Sequence, residues 1–294
     1  MALFLLIKKE KKSPLEKVSD FVIAFSDDGK GIQSKKLMLE AMIRAKKLNK
    51  IIVAHCEDNK LLRGGYIHDG KYCKAHHHKG ICSASEYEQV KRDIQLVKQT
   101  NCKYHVCHVS TKESIKLIKQ AKKSGLNISC ETAPHYLLLD DSMLKEDGNF
   151  KINPPIRDLS DKFALIKAIK DWTIDMIATD HAPHSTKEKQ NGLKNSPFGA
   201  SGIEIAFPLL YTFLVKTKII SLNKLVELLV INPHKRFNKA MTNDFCLWNL
   251  NEQEKINPSK FVSKGKNTPF KGWLVSAKNY LTVYNGKIVY RGGK

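Results

Sequence analysis

Imidazole and carboxylate side chains follow several short apolar segments of this sequence, at the point where each segment ends. His55 comes directly after Ile51–Ala54, His108 follows the next such segment, and Asp28 and Asp180 follow two others. Imidazole nitrogens and carboxylate oxygens are the ligands of zinc and related divalent ions. A bound ion of this kind lowers the pKa of a water molecule and polarises the carbonyl that the water attacks. The four residues together therefore predict a catalytic metal site.

Other histidines suit a metal site less well. His76-His77-His78 is the densest cluster, but consecutive loop residues converge on one ion less readily than ligands from separate strands, and the neighbouring lysines oppose a cation. We expect a solvated loop there. His105 alternates with His108 along the predicted strand and should face elsewhere. The sequence has no phosphate-binding glycine loop and no G-x-S-x-G nucleophile motif.

The elements that position these residues alternate between short apolar segments and segments of helical periodicity. The apolar segments are Phe21–Phe25, Ile51–Ala54, Tyr104–Cys107, Asn127–Cys130 and Met176–Ala178. Apolar residues recur at helical spacing between them, as in Leu37–Leu48 and Ile115–Ala121. Apolar runs of this length fit strands buried on both faces, and the repeated alternation predicts a parallel α/β architecture.

A shared position in this fold is what favours metal binding over a structural role. A lone histidine after a strand is usually a hydrogen-bonded structural residue, and Asp28-Gly29 alone indicates a turn. In a (β/α) barrel, however, functional residues lie at the carboxyl ends of the strands. All five apolar segments place polar residues at that end, so we expect the four predicted ligands to share one rim.

The pattern changes after Asp180. A loop rich in Lys, Asn and Gly leads to two apolar helical stretches, Ile203–Val215 and Leu222–Val230. Beyond Asn238 the chain is strand-like and rich in turns, and Asn285-Gly286 predicts a β-hairpin. We therefore expect a partial barrel over residues 13–241 and a small β appendage over residues 242–294.

Charge and composition restrict the class of protein. Lys and Arg number 50 against 29 Asp and Glu, a net charge of +21, but only six of the 50 are Arg and they are scattered. Nucleic-acid-binding proteins favour clustered Arg, so we expect no specific nucleic-acid binding.

The sequence has no membrane-spanning apolar run, and its first apolar residues precede their charges, unlike a signal peptide. We expect a soluble cytoplasmic protein with buried thiols at Cys56, Cys107 and Cys130.

Seven motifs, in order from about Asp20 to the end of the chain, resemble those of dihydroorotase in its bacterial type I branch, within the amidohydrolase superfamily. They are Phe25–Gly29, Ala54–Asp58, Cys107–Thr111, Glu131–His135, Asn153–Arg157, Ala178–His184 and Ser263–Phe270. Hydantoinase and allantoinase share the metal architecture of that superfamily. The Asn-Pro-Pro stretch at Asn153 and the motif Ser263–Phe270 favour dihydroorotase over them.

The resemblance implies a zinc-dependent TIM-barrel hydrolase. Its reaction would be the reversible cyclisation of N-carbamoyl-L-aspartate to dihydroorotate, a step of pyrimidine biosynthesis. By motif position, His55 and His108 match zinc ligands and Asp28 matches a carboxylate of the binuclear centre. Asp180 matches the aspartate that contacts metal and acts as general base toward the metal-bound hydroxide. The positions that match substrate-binding residues are Asn153, His184, Phe198 and Gly199.

Two parts of the family pattern have no counterpart in the sequence. The family has an early His-x-His pair of zinc ligands followed by a substrate-binding Arg, but no His precedes His55 and no Arg precedes Arg44. Five strand–helix units are recognisable where a closed barrel has eight. We therefore expect a dihydroorotase that lacks its N-terminal third, has one half of its zinc site incomplete, and is inactive or poorly folded alone.

Two alternatives to an enzyme stay open. One is a non-catalytic homologue that acts as a binding or scaffold partner, for example of aspartate transcarbamoylase, and stoichiometric zinc would argue against it. The other is a basic nucleic-acid-binding module, which would show steeply salt-dependent affinity. For the enzyme we expect a small-molecule substrate, no membrane association, and a second copy of the chain or aspartate transcarbamoylase as protein partner.

Overall fold

The computed structural model describes residues 4–6 and 15–292. The chain divides into two compact units, one of Met1–Lys145 with Ile152–Ala178 and the other of Glu146–Lys151 with Thr179–Lys294. Each unit has its own sheet. Within the described residues, no helix has both the length and the apolar character needed to cross a bilayer.

The first unit is built on a six-stranded sheet in which every neighbouring pair is parallel. In sheet order, its strands are β1 (Phe4–Leu6), β2 (Ala24–Ser26), β3 (Ile51–Ala54), β6 (Lys103–Val106), β7 (Ile128–Thr132) and β8 (Met176–Ile177). Two further strands, β4 (Ile67–His68) and β5 (Gly80–Ile81), form a separate parallel pair. Both β2 and β3 are buried along their whole length, as expected for strands covered on both faces.

Helices connect the strands of the first unit. They are α1 (Leu15–Val18), α2 (Lys35–Lys47), α3 (Lys71–Ala75), α4 (Ala84–Thr100), α5 (Lys112–Lys123), α6 (Pro134–Leu138) and α7 (Leu159–Lys170). Side chains of Ser34, Thr111 and Asp158 accept hydrogen bonds from the first backbone N–H groups of α2, α5 and α7. The apolar sides of these helices are buried. The predicted parallel α/β architecture is therefore confirmed.

The expected number of strands was wrong. Phe4–Leu6 forms the edge strand β1 beside β2, although no strand was predicted for this segment. The predicted first strand is also displaced, because Ser19–Phe21 forms a 3-10 turn and the strand begins at Ala24. Three residues carry too little periodicity to be recognised, and only a neighbouring strand edge gives their N–H and C=O groups partners. Over the described residues β1 and β8 are edge strands, and a closed barrel stays a prediction.

The second unit combines short helices with an antiparallel sheet. The helices are α8 (Thr186–Lys189), α9 (Gly192–Asn195), α10 (Ala206–Leu210), α11 (Leu222–Val226) and α12 (Asn232–Arg236). The strands are β9 (Phe245–Lys255), β10 (Leu274–Tyr284) and β11 (Lys287–Arg291), in the order β11-β10-β9. Both predicted helical stretches exist, and each continues past its α-helix into a wider π-type turn.

The predicted hairpin at Asn285-Gly286 is confirmed. These residues join β10 to β11 with φ angles of 48° and 72°, the left-handed values that a two-residue turn of this kind requires. The boundary expected between residues 241 and 242 stays a prediction.

Candidate functional site

Asp28, His55 and His108 meet in the first unit. His55 Nδ1 lies 3.0 Å from His108 Nε2, and Asp28 Oδ1 lies 3.3 Å from His108 Nε2 and 3.8 Å from His55 Nδ1. The two imidazoles are almost fully buried, whereas the carboxylate of Asp28 is half exposed. Two ring nitrogens and one carboxylate oxygen therefore converge on one point that opens to solvent on the side of Asp28.

The parallel sheet produces this convergence. The three residues follow β2, β3 and β6, which are adjacent in the sheet and point the same way. The carboxyl ends of these strands consequently lie side by side. His108 also has a φ of 33°, in the left-handed region that non-glycine residues rarely adopt, so the chain turns sharply directly after its strand.

The charge state of the cluster suits a divalent cation. A hydrogen bond with His108 is the main cause that lowers the pKa of Asp28 to about 2, so this carboxylate is ionised at neutral pH. Metal ligands must be deprotonated, and a catalytic zinc ion typically has three protein ligands with one position left open for water. The donor set of Asp28, His55 and His108 fits that requirement.

Asp27 orients His55 without taking part in the cluster. This buried carboxylate accepts hydrogen bonds from the backbone N–H of His55 at 2.8 Å and from that of Ile32 at 2.7 Å. Burial raises the pKa of Asp27 to about 6 against the effect of these two donors. Asp27, directly after the neighbouring strand β2, thus fixes the backbone that carries His55.

Asn153 approaches the same cluster through Glu57. The Glu57 carboxylate lies 3.5 Å from His55 Nε2 and shares a hydrogen bond with the side chain of Asn153. Burial opposes the ionisation of Glu57, but the contacts with His55 and Asn153 lower its pKa. Among the described residues, the buried Oδ1 of Asn153 has no hydrogen-bond partner. A ligand N–H group would satisfy this acceptor.

His135 is a buried neighbour of the cluster, and no role was predicted for it. Burial, followed by the charge of His108, lowers its pKa to about 3, so the imidazole is neutral at physiological pH. Its Nε2 atom has no hydrogen-bond partner within the described part of the chain. The position of His135 at the end of the motif Glu131–His135, just after β7, is the signal that could have identified it.

His105 and two residues of the histidine cluster lie as predicted, whereas His78 is half-buried and contacts the Tyr66 hydroxyl at 2.8 Å. His105 faces away from the cluster and contacts Ser129 Oγ at 2.7 Å and Glu131 Oε2 at 3.1 Å. His76 and His77 are exposed beyond the end of α3. Cys56, Cys107 and Cys130 are buried free thiols, also as predicted.

A second group of possible ligands has structural partners instead. His68, Asp158 and Asp161 lie close together in the first unit. Asp158 caps α7, Asp161 Oδ1 accepts from the Lys112 N–H at 2.8 Å, and His68 contacts the Arg157 guanidinium at 3.4 Å. The adjacent guanidinium makes this group unfavourable for a cation.

The other predicted site residues lie in the second unit. Asp180 has a left-handed φ of 45°. His184 Nε2 donates to the Phe198 carbonyl at 2.8 Å, and its backbone N–H donates to Asn267 Oδ1 at 2.7 Å. Asn267 Nδ2 in turn donates to the Gly199 carbonyl at 3.0 Å. The motif Ser263–Phe270, which contains Asn267, therefore holds three of the predicted substrate-binding residues together.

Gly199 fills a position that no larger residue tolerates. Its φ is 128°, and an added Cβ would lie 2.5 Å from the Cβ of Ala182. The backbone of the Phe198-Gly199 segment can approach Ala182 only because this residue has no side chain.

Lys189 also binds the Phe198-Gly199 segment, and no role was predicted for this lysine. Its buried ammonium donates to the carbonyls of Pro197 and Gly199, each at 2.9 Å, and to that of Lys151 at 3.2 Å. Burial lowers the pKa of Lys189 to about 8. Lys151 also places its ammonium 4.7 Å from the centre of the Phe198 ring. The sequence contains 44 lysines, and nothing in its pattern distinguishes Lys189 from the others.

Known proteins resemble this chain in sequence. A family model described as Dihydro-orotase-like matches residues 9–114, beginning ahead of Asp20. Proteins named Dihydroorotase from Bacillus thuringiensis (strain Al Hakam) and Bacillus cereus (strain AH187) are each 46% identical over 276 residues. The alignments cover 91% of this chain and 64% of each relative, so the chain spans about two thirds of the length of these relatives.

Solved structures resemble the chain in fold. Dihydropyrimidinase from Brevibacillus agri NCHU1002 superposes with a TM-score of 0.85 at 21% identity, covering 99% of this chain and 69% of that one. L-Hydantoinase from Arthrobacter aurescens gives 0.86 at 23% identity, with 100% and 70% coverage. Sequence identity and fold agree with the order of the motifs: over the part of the relatives that it spans, the chain is similar to dihydroorotases in sequence and to these hydantoinase structures in fold.

Proposed function

We propose that this chain carries the catalytic half-site of a dihydroorotase, which interconverts dihydroorotate and N-carbamoyl-L-aspartate. The convergence of Asp28, His55 and His108 is the observation that carries this proposal. A divalent ion bound there, zinc by family resemblance, would activate water and polarise the ring amide carbonyl. The family centre is binuclear, and the described residues supply the donor set for one ion.

The roles of the chain's own residues follow from their chemistry. Asp180, by its motif, takes a proton from the attacking water and delivers it to the ring nitrogen as the amide bond breaks. Asn153 offers a buried Oδ1 acceptor to a substrate N–H group. His184, with the backbone of Phe198 and Gly199, forms a fixed segment that binds the rest of the substrate.

Substrate preference tests the proposal directly. The purified chain, loaded with zinc, is incubated in parallel with dihydroorotate, hydantoin and dihydrouracil, and the ring-opened products are separated by chromatography. Because the described residues supply the donor set for one ion of a binuclear centre, we expect slow turnover, with dihydroorotate opened fastest. Folded, metal-loaded protein that opens hydantoin or dihydrouracil faster would contradict the proposed substrate, whereas protein that opens none of the three would bear out the expectation that this chain is inactive alone.

A variant of the proposed base isolates the role of Asp180. Asp180→Asn keeps the size of the side chain but cannot accept the proton, so we expect turnover to fall by about 10²–10⁴-fold. Asp20→Asn changes an exposed carboxylate outside the proposed site and serves as the matched control. Equal turnover in the two variants would remove Asp180 from the mechanism.

The non-catalytic scaffold alternative has less support. A scaffold has no need of buried imidazoles and an ionised carboxylate converging on one point, and the chain retains all three. Association with a second copy or with aspartate transcarbamoylase, and a cytoplasmic location, stay predictions.

A further inference from the structure

Glu86, near the start of α4, is a buried carboxylate bonded to the loop that carries His108. Its two oxygens accept hydrogen bonds from the backbone N–H groups of Ser110, at 3.2 Å to each oxygen, and Thr111, at 3.1 Å. The hydroxyl groups of the same two residues also donate to it, that of Thr111 at 2.8 Å. Glu86, Ser110 and Thr111 are all almost completely buried.

These bonds fix the turn that directs His108. Ser110 and Thr111 lie two and three residues beyond His108, and Thr111 also caps α5. On the other side, the Val109 N–H donates to the Glu131 carbonyl at 2.8 Å. The loop from β6 to α5 is therefore held from α4 and from β7, which leaves His108 little freedom to depart from its left-handed φ.

The chemistry of the contact requires a carboxylate. All four groups that face Glu86 from the loop are donors in this arrangement, so the acceptor must present oxygen on both branches. Arg157 completes the surroundings, because its Nε donates to Ser110 Oγ at 3.0 Å and its Nη2 lies 3.9 Å from Glu86. The buried negative charge is thus both hydrogen-bonded and partly neutralised.

We propose that Glu86 is a positioning residue for the metal centre, which sets the orientation of His108 toward Asp28 and His55. The proposal rests on the metal-binding role given above to these three residues. Partners that orient metal ligands typically affect metal affinity by about 10–100-fold when they are replaced.

Glu86→Gln tests the proposal, because one branch becomes an NH2 donor that faces the donors of the loop. The affinity of the full chain for Co²⁺ is measured by competition with a chromophoric chelator. We expect the Glu86→Gln variant to bind Co²⁺ about 10–100-fold more weakly than the original chain.

Asp93→Asn is the matched control. Asp93 is a fully buried carboxylate on the same helix, bonded to the Tyr104 hydroxyl at 2.7 Å and to Arg92 at 2.8 Å. The control should lose stability yet keep its Co²⁺ affinity. Unchanged affinity in folded Glu86→Gln, or an equal loss in Asp93→Asn, would overturn the proposal.

A readout without metal separates this proposal from the proposed function. If the original chain binds no Co²⁺, the metal-binding role fails, and Glu86 is then judged by the NMR shifts of the His108 ring and the amide exchange of Ser110 and Thr111. We expect both to change in Glu86→Gln and neither in Asp93→Asn. If Glu86→Gln does not fold, Ser110→Ala removes one of the hydroxyl bonds, and unchanged affinity and exchange in that variant would equally overturn the proposal.

Discussion

Three of the predicted site residues have positive backbone φ angles. His108, Asp180 and Gly199 all have positive φ angles, of 33°, 45° and 128°. Two of them are not glycine, and such conformations cost of the order of 1–3 kcal/mol each unless neighbouring contacts hold them. The bonds from Glu86 to the loop after His108 are contacts of this kind. His108 and Asp180 therefore combine a costly backbone conformation with a position just after a strand.

The buried ammonium of Lys189 leads to a prediction about the second unit. Lys189→Met keeps the aliphatic stem but removes the ammonium donor from three carbonyls. The Gly199 and Lys151 carbonyls keep a second donor, from Asn267 Nδ2 and the Gly199 N–H, so we expect the free energy of unfolding to fall by about 1–3 kcal/mol, measured by urea denaturation, with faster amide exchange around Gly199. Lys187→Met on the same short helix replaces an exposed lysine and should change neither quantity. Similar losses in both variants would show that the carbonyl contacts are unimportant.

His68 makes the stability of the first unit depend on pH. Burial, followed by the charge of Arg157, lowers its pKa to about 4, from 6.5 for an ordinary histidine. The unfolded chain therefore binds a proton at His68 between pH 6.5 and pH 4 that the folded chain does not bind. Stability must fall as the pH falls through this window, by about 2 kcal/mol between pH 7 and pH 5 from this group.

Replacing the imidazole checks that contribution. His68→Gln removes the titrating group, so its free energy of unfolding should decline less steeply from pH 7 to pH 5 than that of the original chain. The exposed His76→Gln variant provides the comparison and should keep the original slope. The explanation fails if His68→Gln retains that slope too.

At the scale of elements, local features of the sequence account for the starts of several helices and for the central strands of the first unit. Ser34, Thr111 and Asp158 accept from backbone N–H groups at the starts of α2, α5 and α7. Strand β3 coincides with the predicted apolar segment Ile51–Ala54. Strand β1 was not predicted, since three residues form a strand only where a neighbour pairs with them.

The hairpin between β10 and β11 allows a prediction at this scale. Gly286 has a φ of 72°, so Gly286→Ala forces a side chain into the left-handed region and should cost about 1 kcal/mol. Asn285→Gly keeps that region accessible at the other turn position and is the matched control. Amide exchange in β11 should accelerate in Gly286→Ala only. Equal protection in the two variants would mean that the turn contributes little to the pairing of these strands.

At the scale of the whole molecule, metal binding should be linked to folding. An ion that binds only the folded chain stabilises it by about 2.7 kcal/mol at a free concentration one hundred times its Kd. We therefore expect Zn²⁺ to raise the Tm of the original chain in a calorimetric scan. His108→Ala should abolish the rise, whereas His76→Ala, which removes an exposed histidine, should preserve it. A rise of the same size in His108→Ala would place the ion elsewhere.

The net charge of +21 comes from the large number of lysines in the chain. Its lysines include members with specific structural roles, such as Lys189, alongside many on exposed positions. The motifs and the curated relatives resemble dihydroorotase. We therefore expect the charge to be a property of composition that bears on solubility more than on specific recognition.

The sequence by itself determined the parallel α/β pattern, the hairpin, the resemblance to dihydroorotase, and the strand ends at which Asp28, His55 and His108 lie. These features depend on periodicity and motif order, which are local properties of the chain. Only the tertiary structure revealed the bonds of Glu86 to a loop 24 residues away, the contact of Asn153 with Glu57, and the three carbonyls that meet Lys189. Such contacts arise when separate elements pack together, and residue spacing does not encode which buried donor will face which acceptor.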